Sequence, residues 1–518
     1  MTATHGGAAT LCAAFQATVA RTPDAVALRT AGGGTTLTWS QYAARVREIA
    51  SGLRALGVGP GDTVALLLTN RPEFHLVDTA VQHLGAVPFS CYHSSSPEQV
   101  GYLLTASGAR TVITESRLAP LLHGRALDHL ISVDGAPGVS LDAVIAAGDP
   151  DFDLEEAAAR ITPDHLLTIV YTSGTTGAPK GVEITHANMT AMCRISATAL
   201  GMVAGDRLIS FLPSAHIADR WANHYLHSWC GTELTTLADP REIVGALLDV
   251  RPTLFGAVPQ VWQRIAGGLQ RLPREVPDPL ARLGLDQVRL AITSAAPTPP
   301  AVVAYLTSAG VPLSEGWGMS ELAGMATMNP PGAVRPGTVG LPLPGVETRL
   351  EADGELLVRG PMVMRGYRDR PDETRAVLDD DGWLHTGDIA TADADGYLTI
   401  VDRKKELLIT AGGENIAPAP IEQALLTHCP TVSHVVVAGD GRPYLVALLV
   451  SDSAPGDLEA GIAAANATFP SFSRIRAFAV VTDQWDPGGG LLTPTMKVRR
   501  RPVLRAYADR IEALYPDA

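Results

Sequence analysis

The sequence predicts an α/β protein with a small α+β domain at its C-terminal end. Helix-period and strand-period segments alternate through the first third of the chain, an arrangement that buries a parallel sheet under helices. A strand-like run, Tyr397–Val401, passes directly into the charged cluster Asp402-Arg403-Lys404-Lys405-Glu406 and then the flexible Ala411-Gly412-Gly413. The roughly 115 residues that remain suit a separate small domain. These features place the clearest boundary between a large domain and a small one within Gly396 to Glu406.

The elements follow in order. Ser40 is placed to cap a helix whose apolar face is Tyr42, Val46, Ile49 and Leu53, with Gly57 just beyond its end. Thr63–Leu68 reads as a strand, Pro72–Leu84 as a helix, and Ala86–Phe89 as a strand. Pro97–Ala106 and Thr111–Thr114 repeat the helix–strand pairing. Leu166–Val170 is another apolar strand, and Tyr444–Val450 is a continuous apolar run of the kind a fully buried strand shows. That run is far short of the roughly 20 residues that span a bilayer. The basic run Lys497–Arg501 reads as the solvated start of a helix, and there is no repeat of fixed period.

Composition narrows the function. The 518 residues are 46% hydrophobic and 18% charged, as in globular proteins. The net charge of −14 argues against a protein that coats nucleic acid or an anionic membrane. From Asp402 onward there are 12 basic and 13 acidic residues, so nearly all of the excess lies in the larger domain. Cys12, Cys91, Cys193, Cys230 and Cys429 are odd in number, scattered and without a CxxC pair, which fits a reducing cytosol, with Cys230 read as a packed thiol. The first ten residues lack the charged start of a signal peptide. A cytoplasmic enzyme is the expectation, and the sequence leaves its oligomeric state open.

The most informative segment is Tyr171-Thr172-Ser173-Gly174-Thr175-Thr176-Gly177-Ala178-Pro179-Lys180-Gly181. Glycines let backbone N–H groups approach a polyphosphate, hydroxyls add donors, and Lys180 adds charge. It is not the common NTPase loop, because Ala178-Pro179 separates Gly177 from the lysine. The run closely resembles the phosphate loop of the adenylate-forming superfamily, which includes acyl-CoA synthetases, nonribosomal-peptide adenylation domains and luciferases.

Further segments resemble that superfamily's motifs in its order. Ser294-Ala295-Ala296-Pro297 is similar to the strand end whose backbone faces adenine, with Ser294 where glycine is usual. Glu315-Gly316-Trp317-Gly318-Met319-Ser320-Glu321 resembles the adenylate-binding segment, with Trp317 where tyrosine is usual and Ser320 where threonine is frequent. An aromatic face can stack on a base, a hydroxyl can donate to phosphate, and Glu321 can hold Mg2+ against phosphate oxygens. His385-Thr386-Gly387-Asp388 resembles the segment whose aspartate grips both ribose hydroxyls. Asp402–Glu406 matches the interdomain hinge, which implies a large domain of residues 1–401, a small one of residues 402–518 and a hinge near 402–405. By that resemblance Arg403 reaches the ribose, Ile400 lies along the nucleotide, and Lys405 is either the hinge residue or an ordinary exposed lysine. Leu492-Thr493-Pro494-Thr495-Met496-Lys497 matches the segment with the catalytic lysine, whose cation bridges the substrate carboxylate and the α-phosphate.

The resemblance runs from about Leu11 to Tyr515. It implies a large multi-layer α/β N-terminal domain and a small mobile α+β C-terminal domain that adenylates in one orientation and forms a thioester in another. In the second orientation Lys497 leaves, and the loop at Gly412 and Gly413 borders a tunnel for the thiol. Subfamily signals are Ser214-Ala215-His216-Ile217-Ala218-Asp219-Arg220 and Gly439-Asp440-Gly441-Arg442-Pro443-Tyr444, which resemble segments of long-chain fatty acyl-CoA synthetases. His216 falls at the aromatic gate beside the acyl carboxylate. Trp221, Tyr225 and Trp229, at i, i+4 and i+8, are either core or the wall of an acyl tunnel.

The implied reaction is activation of a fatty acid by ATP with Mg2+ to acyl-AMP and pyrophosphate, then an acyl thioester, most simply acyl-CoA. An acid–thiol ligase that loads the phosphopantetheine arm of an acyl carrier protein is the alternative. Thr172, His216, Glu321 and Lys497 are the expected catalytic residues. Gly318 and Met319 are also expected along the acyl substrate. The small domain is shorter between Asp452 and Trp485 than in long-chain relatives.

Overall fold

The structure is a computed structural model, and it describes residues 7–172, 178–273, 277–486, 489–493 and 497–515. The described chain forms two units. The first is built from Met1–Thr172, Pro179–Glu347 and Val358–Leu384, and the second includes Thr348–Leu357 and His385–Ala518.

The first unit opens on the parallel sheet that the helix–strand alternation predicts. Its strands run in the order Val87–Ser90, Thr63–Leu67, Thr111–Thr114, His129–Ser132 and Val139–Ser140, all parallel. Helices Pro72–His83 and Pro97–Ser107 connect them. Both faces are covered, which is why Thr63–Leu67 is buried along its whole length. The helix before this sheet, Trp39–Ala55, buries the expected face of Tyr42, Val46, Ile49 and Leu53. Its cap is Thr38 rather than Ser40. The Thr38 hydroxyl accepts from the Gln41 N–H while the Gln41 side chain accepts from the Thr38 N–H, a reciprocal box that Ser40 cannot make.

A second sheet in this unit runs Leu254–Ala257, Leu290–Thr293 and Leu313–Met319 in parallel, then turns antiparallel through Gly324–Met328 and Leu341–Pro342. Trp262, Phe255 and Phe211 anchor the core beneath it. A third set pairs Leu166–Thr172 with Lys180–Thr185, and Lys180–Thr185 with Gly366–Tyr367. The register sets Thr172 opposite Lys180, at the two ends of the glycine-rich segment. Ser173, Gly174, Thr175, Thr176 and Gly177 lie outside the described residues.

The second unit centres on Leu445–Val450, which pairs antiparallel with His434–Ala438 and parallel with Ile475–Val481. Helices Pro418–His428 and Pro455–Ala467 pack with one set of its apolar residues, and Trp485 and Val503 with another. Burial on both faces explains the continuous apolar run.

The basic run at the C-terminal end departs from expectation. Arg500, at the start of the helix Arg500–Ala506, is buried rather than solvated. Its guanidinium donates to Glu422 through both Nη atoms, at 2.7 and 2.8 Å, and to Glu406 at 3.2 Å. Two half-buried carboxylates therefore hold the cation inside. All five cysteines are free thiols and buried, Cys230 fully. Among the described residues, no helix is long and apolar enough to cross a membrane.

Candidate active site

The residues singled out by the sequence are divided between the two units. In the first unit, Lys180 begins the strand after the glycine-rich segment and its Nζ lies 2.6 Å from Glu373 Oε2. The same ammonium stands over the Tyr367 ring at 4.6 Å, and the Tyr367 hydroxyl donates to Glu321 Oε1 at 2.8 Å. Glu321 is buried on a short 3-10 turn, Ser320–Leu322, and its carbonyl accepts from the Met364 N–H at 2.8 Å.

That turn follows the hairpin strand Leu313–Met319; Trp317, Gly318 and Met319 on the strand and Ser320 on the turn are half-buried. Gly318 is needed for the hairpin itself, whereas a side chain at Gly316 would have to displace Met325. A Cβ at Gly318 would lie 2.0 Å from the Gly324 carbonyl oxygen, and one at Gly316 would meet Met325 Sδ at 2.4 Å. Glu315 is buried and accepts from the Gly337 N–H at 3.1 Å. Desolvation raises its carboxyl to about 7, with backbone donors from Gly337 and Thr298 opposing. After the neighbouring strand Leu290–Thr293 come Ser294 and Ala295, half-buried, and Ala296 and Pro297, exposed. Ala295 adopts φ +76, a conformation that strains a residue with a Cβ.

His216 caps a one-turn helix, with its Nδ1 accepting from the Ala218 N–H at 3.1 Å. That bond puts the proton of the neutral ring on Nε2. Trp221 and Tyr225 follow on the π-helical segment Arg220–Tyr225, and Trp229 on the α-helix Leu226–Cys230. The widened turn breaks simple α spacing, yet all three side chains are buried, which either reading of them requires. Trp221 donates to Ser196 at 3.1 Å, and a Cβ at Gly324 would meet its indole at 3.0 Å.

The surroundings of this segment hold a network that the motifs do not reveal. Arg220 and Asp78 form a fully buried ion pair, and Arg220 also donates to Ser90 at 2.8 Å. His224 Nε2 lies 2.9 Å from Asp78 Oδ1, and its Nδ1 lies 3.1 Å from His75 Nδ1. Burial alone would raise the Asp78 carboxyl, but Arg220 and then His224 outweigh it and leave it below the ordinary range. Asp219 is buried among neutral donors from Ser210, Asn223 and Asn70. Desolvation pushes it up to about 7, with the Asn223 and Ser210 bonds and the Arg220 charge opposing.

In the second unit, Asp388 faces Arg403 across the hairpin Leu384–Ala392 and Leu398–Arg403. Asp388 is buried, and its Oδ1 lies 2.7 Å from Arg403 Nε. Arg403 also donates to the Thr386 carbonyl at 3.2 Å. Lys497 is exposed, and its backbone is pinned in a turn by two bonds with Thr493, at 2.7 and 3.0 Å. Although the residue as a whole is exposed, surrounding protein atoms crowd its ammonium, and that crowding first, then Arg403, lowers it to about 8, with Asp388 opposing. Ile400 is half-buried on the same hairpin.

Asp402 is buried and accepts from the Ala419 N–H at 2.8 Å and its neighbour's N–H at 2.6 Å. Lys404 pairs with Asp353 and Glu355 at 2.6 and 2.8 Å. Lys405, the next residue along the chain, is exposed, as are Gly412 and Gly413.

These donors fit a magnesium nucleotide. Magnesium keeps most of its hydration and takes one or two carboxylates plus phosphate oxygens. Among the described residues no group of three or more metal-ligating side chains gathers, whereas a single buried carboxylate, Glu321, stands one side chain away from the Lys180 ammonium. Tyr367 and Glu373 are absent from the motif reading. The signal available was the segment Gly366-Tyr367 followed by Pro371-Asp372-Glu373, a tyrosine and an acidic helix start close in sequence.

The comparisons agree with this geometry. The model of the AMP-binding enzyme family matches residues 15–368, and that of the AMP-binding enzyme C-terminal domain matches residues 405–518. The putative fatty-acid–CoA ligase fadD11 of Mycobacterium tuberculosis is 40% identical over 451 residues, covering 73% of this chain and 79% of that protein. The long-chain-fatty-acid–CoA ligase FadD15 of Mycobacterium bovis is 32% identical over 565 residues, with 93% of each covered. O-succinylbenzoate coenzyme A synthetase (MenE) of Bacillus subtilis, solved with ATP and magnesium ion, superimposes with TM-score 0.80 at 25% identity, covering 94% of this chain and 98% of that one. The α/β fold with a separate C-terminal domain is that of the adenylate-forming enzymes, and the chain belongs to the AMP-binding enzyme family.

Proposed function

We propose that the protein is an AMP-forming acid–thiol ligase that activates a fatty acid with ATP and passes the acyl group to CoA. The observation that carries the chemistry is in the second unit: the buried Asp388 carboxylate lies 2.7 Å from Arg403, and both act electrostatically on the Lys497 ammonium. A carboxylate accepts from both hydroxyls of a ribose, while two cations offset the charge that grows as a carboxylate meets an α-phosphate. The fatty-acid–CoA ligase relatives support the choice of acid and acceptor.

In this reading the carboxylate oxygen of the acid bonds to the α-phosphorus as pyrophosphate leaves. The thiol sulfur of CoA then bonds to the acyl carbon, AMP leaves and the thiol proton is released. No protein nucleophile is needed. Lys180, Thr172, Ser173, Gly174, Thr175 and Thr176 take the phosphates. Ser294, Ala295, Ala296, Pro297, Glu315, Gly316, Trp317, Gly318, Ser320 and Ile400 hold the nucleotide, and Glu321 is the magnesium ligand. Bound magnesium neutralises phosphate oxygens as a Lewis acid. His216, Trp221, Tyr225, Trp229, Gly318 and Met319 serve the acyl chain, with His216 at the gate. The division at 401/402, the hinge residues Asp402 and Lys405 and the thiol tunnel at Gly412 and Gly413 belong to the same proposal.

The test is pyrophosphate exchange into ATP over acids from acetate to palmitate plus aryl acids. Exchange that requires a fatty acid supports the reading, and exchange driven only by aryl or short acids overturns its substrate class. Supplying CoA and a phosphopantetheinylated carrier protein separately, and weighing the product, decides the acceptor.

A further inference from the structure

Tyr367 stands at a junction between two groups that the sequence treats separately. Its hydroxyl donates to Glu321 Oε1 at 2.8 Å, and its ring lies 4.6 Å from Lys180 Nζ. The side chain is buried, a setting in which a hydrogen bond to a carboxylate holds its acceptor firmly. Its backbone is fixed as well. Tyr367 pairs opposite Val182 on the strand that begins at Lys180, and its N–H donates to Thr374 Oγ1 at 2.9 Å.

The helix Pro371–Arg375 then returns Glu373 to within 2.6 Å of Lys180. Glu373 also pairs with Arg370. The Lys180–Glu373 pair is partly open to solvent, at 29% and 36% side-chain exposure. Ion pairs at such exposure are worth little and exchange partners readily.

We propose that Tyr367 is a positioning residue that fixes the Glu321 carboxylate and the Lys180 ammonium relative to each other, and that Glu373 is an exchangeable counter-ion which Lys180 leaves when a polyphosphate arrives. A polyphosphate carries several charges against one on Glu373, so it wins Lys180. Arg370 still neutralises the carboxylate left behind. The arrangement keeps the metal-side and phosphate-side groups aimed before the nucleotide binds, so little reorganisation remains. This rests on the reading of the chain as an ATP- and magnesium-using ligase.

Calorimetric titration with ATP, in EDTA and then against rising free magnesium, tests it without catalysis. Tyr367→Phe keeps the ring and removes the hydroxyl. It is expected to raise the half-saturating magnesium about tenfold, the scale of a hydrogen bond to a charged group. ATP binding in EDTA should change less than twofold and the melting temperature little, whereas a merely structural role would shift all three. Glu373→Gln is expected to tighten ATP binding in EDTA about threefold by releasing Lys180. Unchanged magnesium dependence in the first variant, or unchanged or weaker ATP binding in the second, overturns the proposal. Glu373 is partly exposed, so its variant decides the matter if Tyr367→Phe does not fold. Should both responses appear in a protein without fatty-acid-dependent exchange, the substrate reading falls and the positioning role stands. A wild-type chain that binds no ATP overturns both.

Discussion

Replacing Asp78 by Asn removes one charge from the interior of the first unit and almost nothing else. Asp78 and Arg220 are both 0% exposed, and the carboxylate also meets His224 and Gln82, at 2.9 and 2.5 Å. Asn keeps the shape but leaves the Arg220 guanidinium, which cannot lose its proton, without the carboxylate it is paired with. Breaking such a pair costs about 3–5 kcal/mol, about a fifth or more of the roughly 5–15 kcal/mol that holds a domain together. The melting temperature should fall by about 5–15 °C, nearer the lower figure for a unit this long. Thermal unfolding at pH 7.5 reads that shift. The double variant Asp78→Leu/Arg220→Met removes both charges and should recover most of the loss. Because Arg220 opens the segment that bears Trp221 and Tyr225, the folded Asp78→Asn protein should show a raised KM for the acid and an ATP KM within about twofold of wild type. A fall under 2 °C, or a double variant as unstable as the single one, would refute the argument that an isolated buried charge is the cost.

Other predictions concern single groups. Lys497→Ala should lower acid-dependent exchange by about 100-fold or more while sparing thioester formation from supplied acyl-adenylate; full exchange by the variant would remove the lysine from the chemistry. Lys497 loses its proton near pH 8, so wild-type adenylation should decline above that pH, and Lys497→Arg should move the declining limb upward. Asp219, raised to about 7, retains its proton in the folded state where the unfolded chain has lost it. Its contribution to stability therefore falls as pH rises from about 4 to 7. Asp219→Asn should flatten that slope and raise the melting temperature at pH 8, as differential scanning calorimetry across pH would record. Arg500→Ala leaves Glu422 and Glu406 without their shared cation and should destabilise the second unit by about 3 kcal/mol, measured by hydrogen exchange in His434–Val450.

How much of this was legible depended on how local each signal is. Leu445–Val450 could be read from six adjacent residues, since burial on both faces leaves an unbroken apolar run. The hairpin of Leu313–Met319 and Gly324–Met328, Asp388, Arg403 and Lys497 could be singled out because each sits in a short distinctive segment. The cap of Trp39–Ala55 was misplaced by two residues, as Thr38 and Ser40 are both competent capping residues and only the reciprocal Gln41 bond separates them. Arg500 was misread because its carboxylates lie 78 and 94 residues away. The same holds for Asp78 with Arg220, 142 residues apart, and for Tyr367 with Glu321, 46 apart. Such contacts are made by tertiary packing and leave no spacing in the chain. The π-helical turn at Arg220–Tyr225 is of the same kind, with no pattern in its six residues to mark it.

The central claim is that this chain joins a fatty acid to CoA at the expense of ATP cleaved between its α- and β-phosphates. Incubating the purified protein with a long-chain fatty acid, ATP, magnesium and CoA, and quantifying all products together, addresses it directly. The predicted result is one acyl-CoA, one AMP and one pyrophosphate per turnover. Release of ADP and inorganic phosphate, or AMP formed at the same rate without the acid, would contradict it.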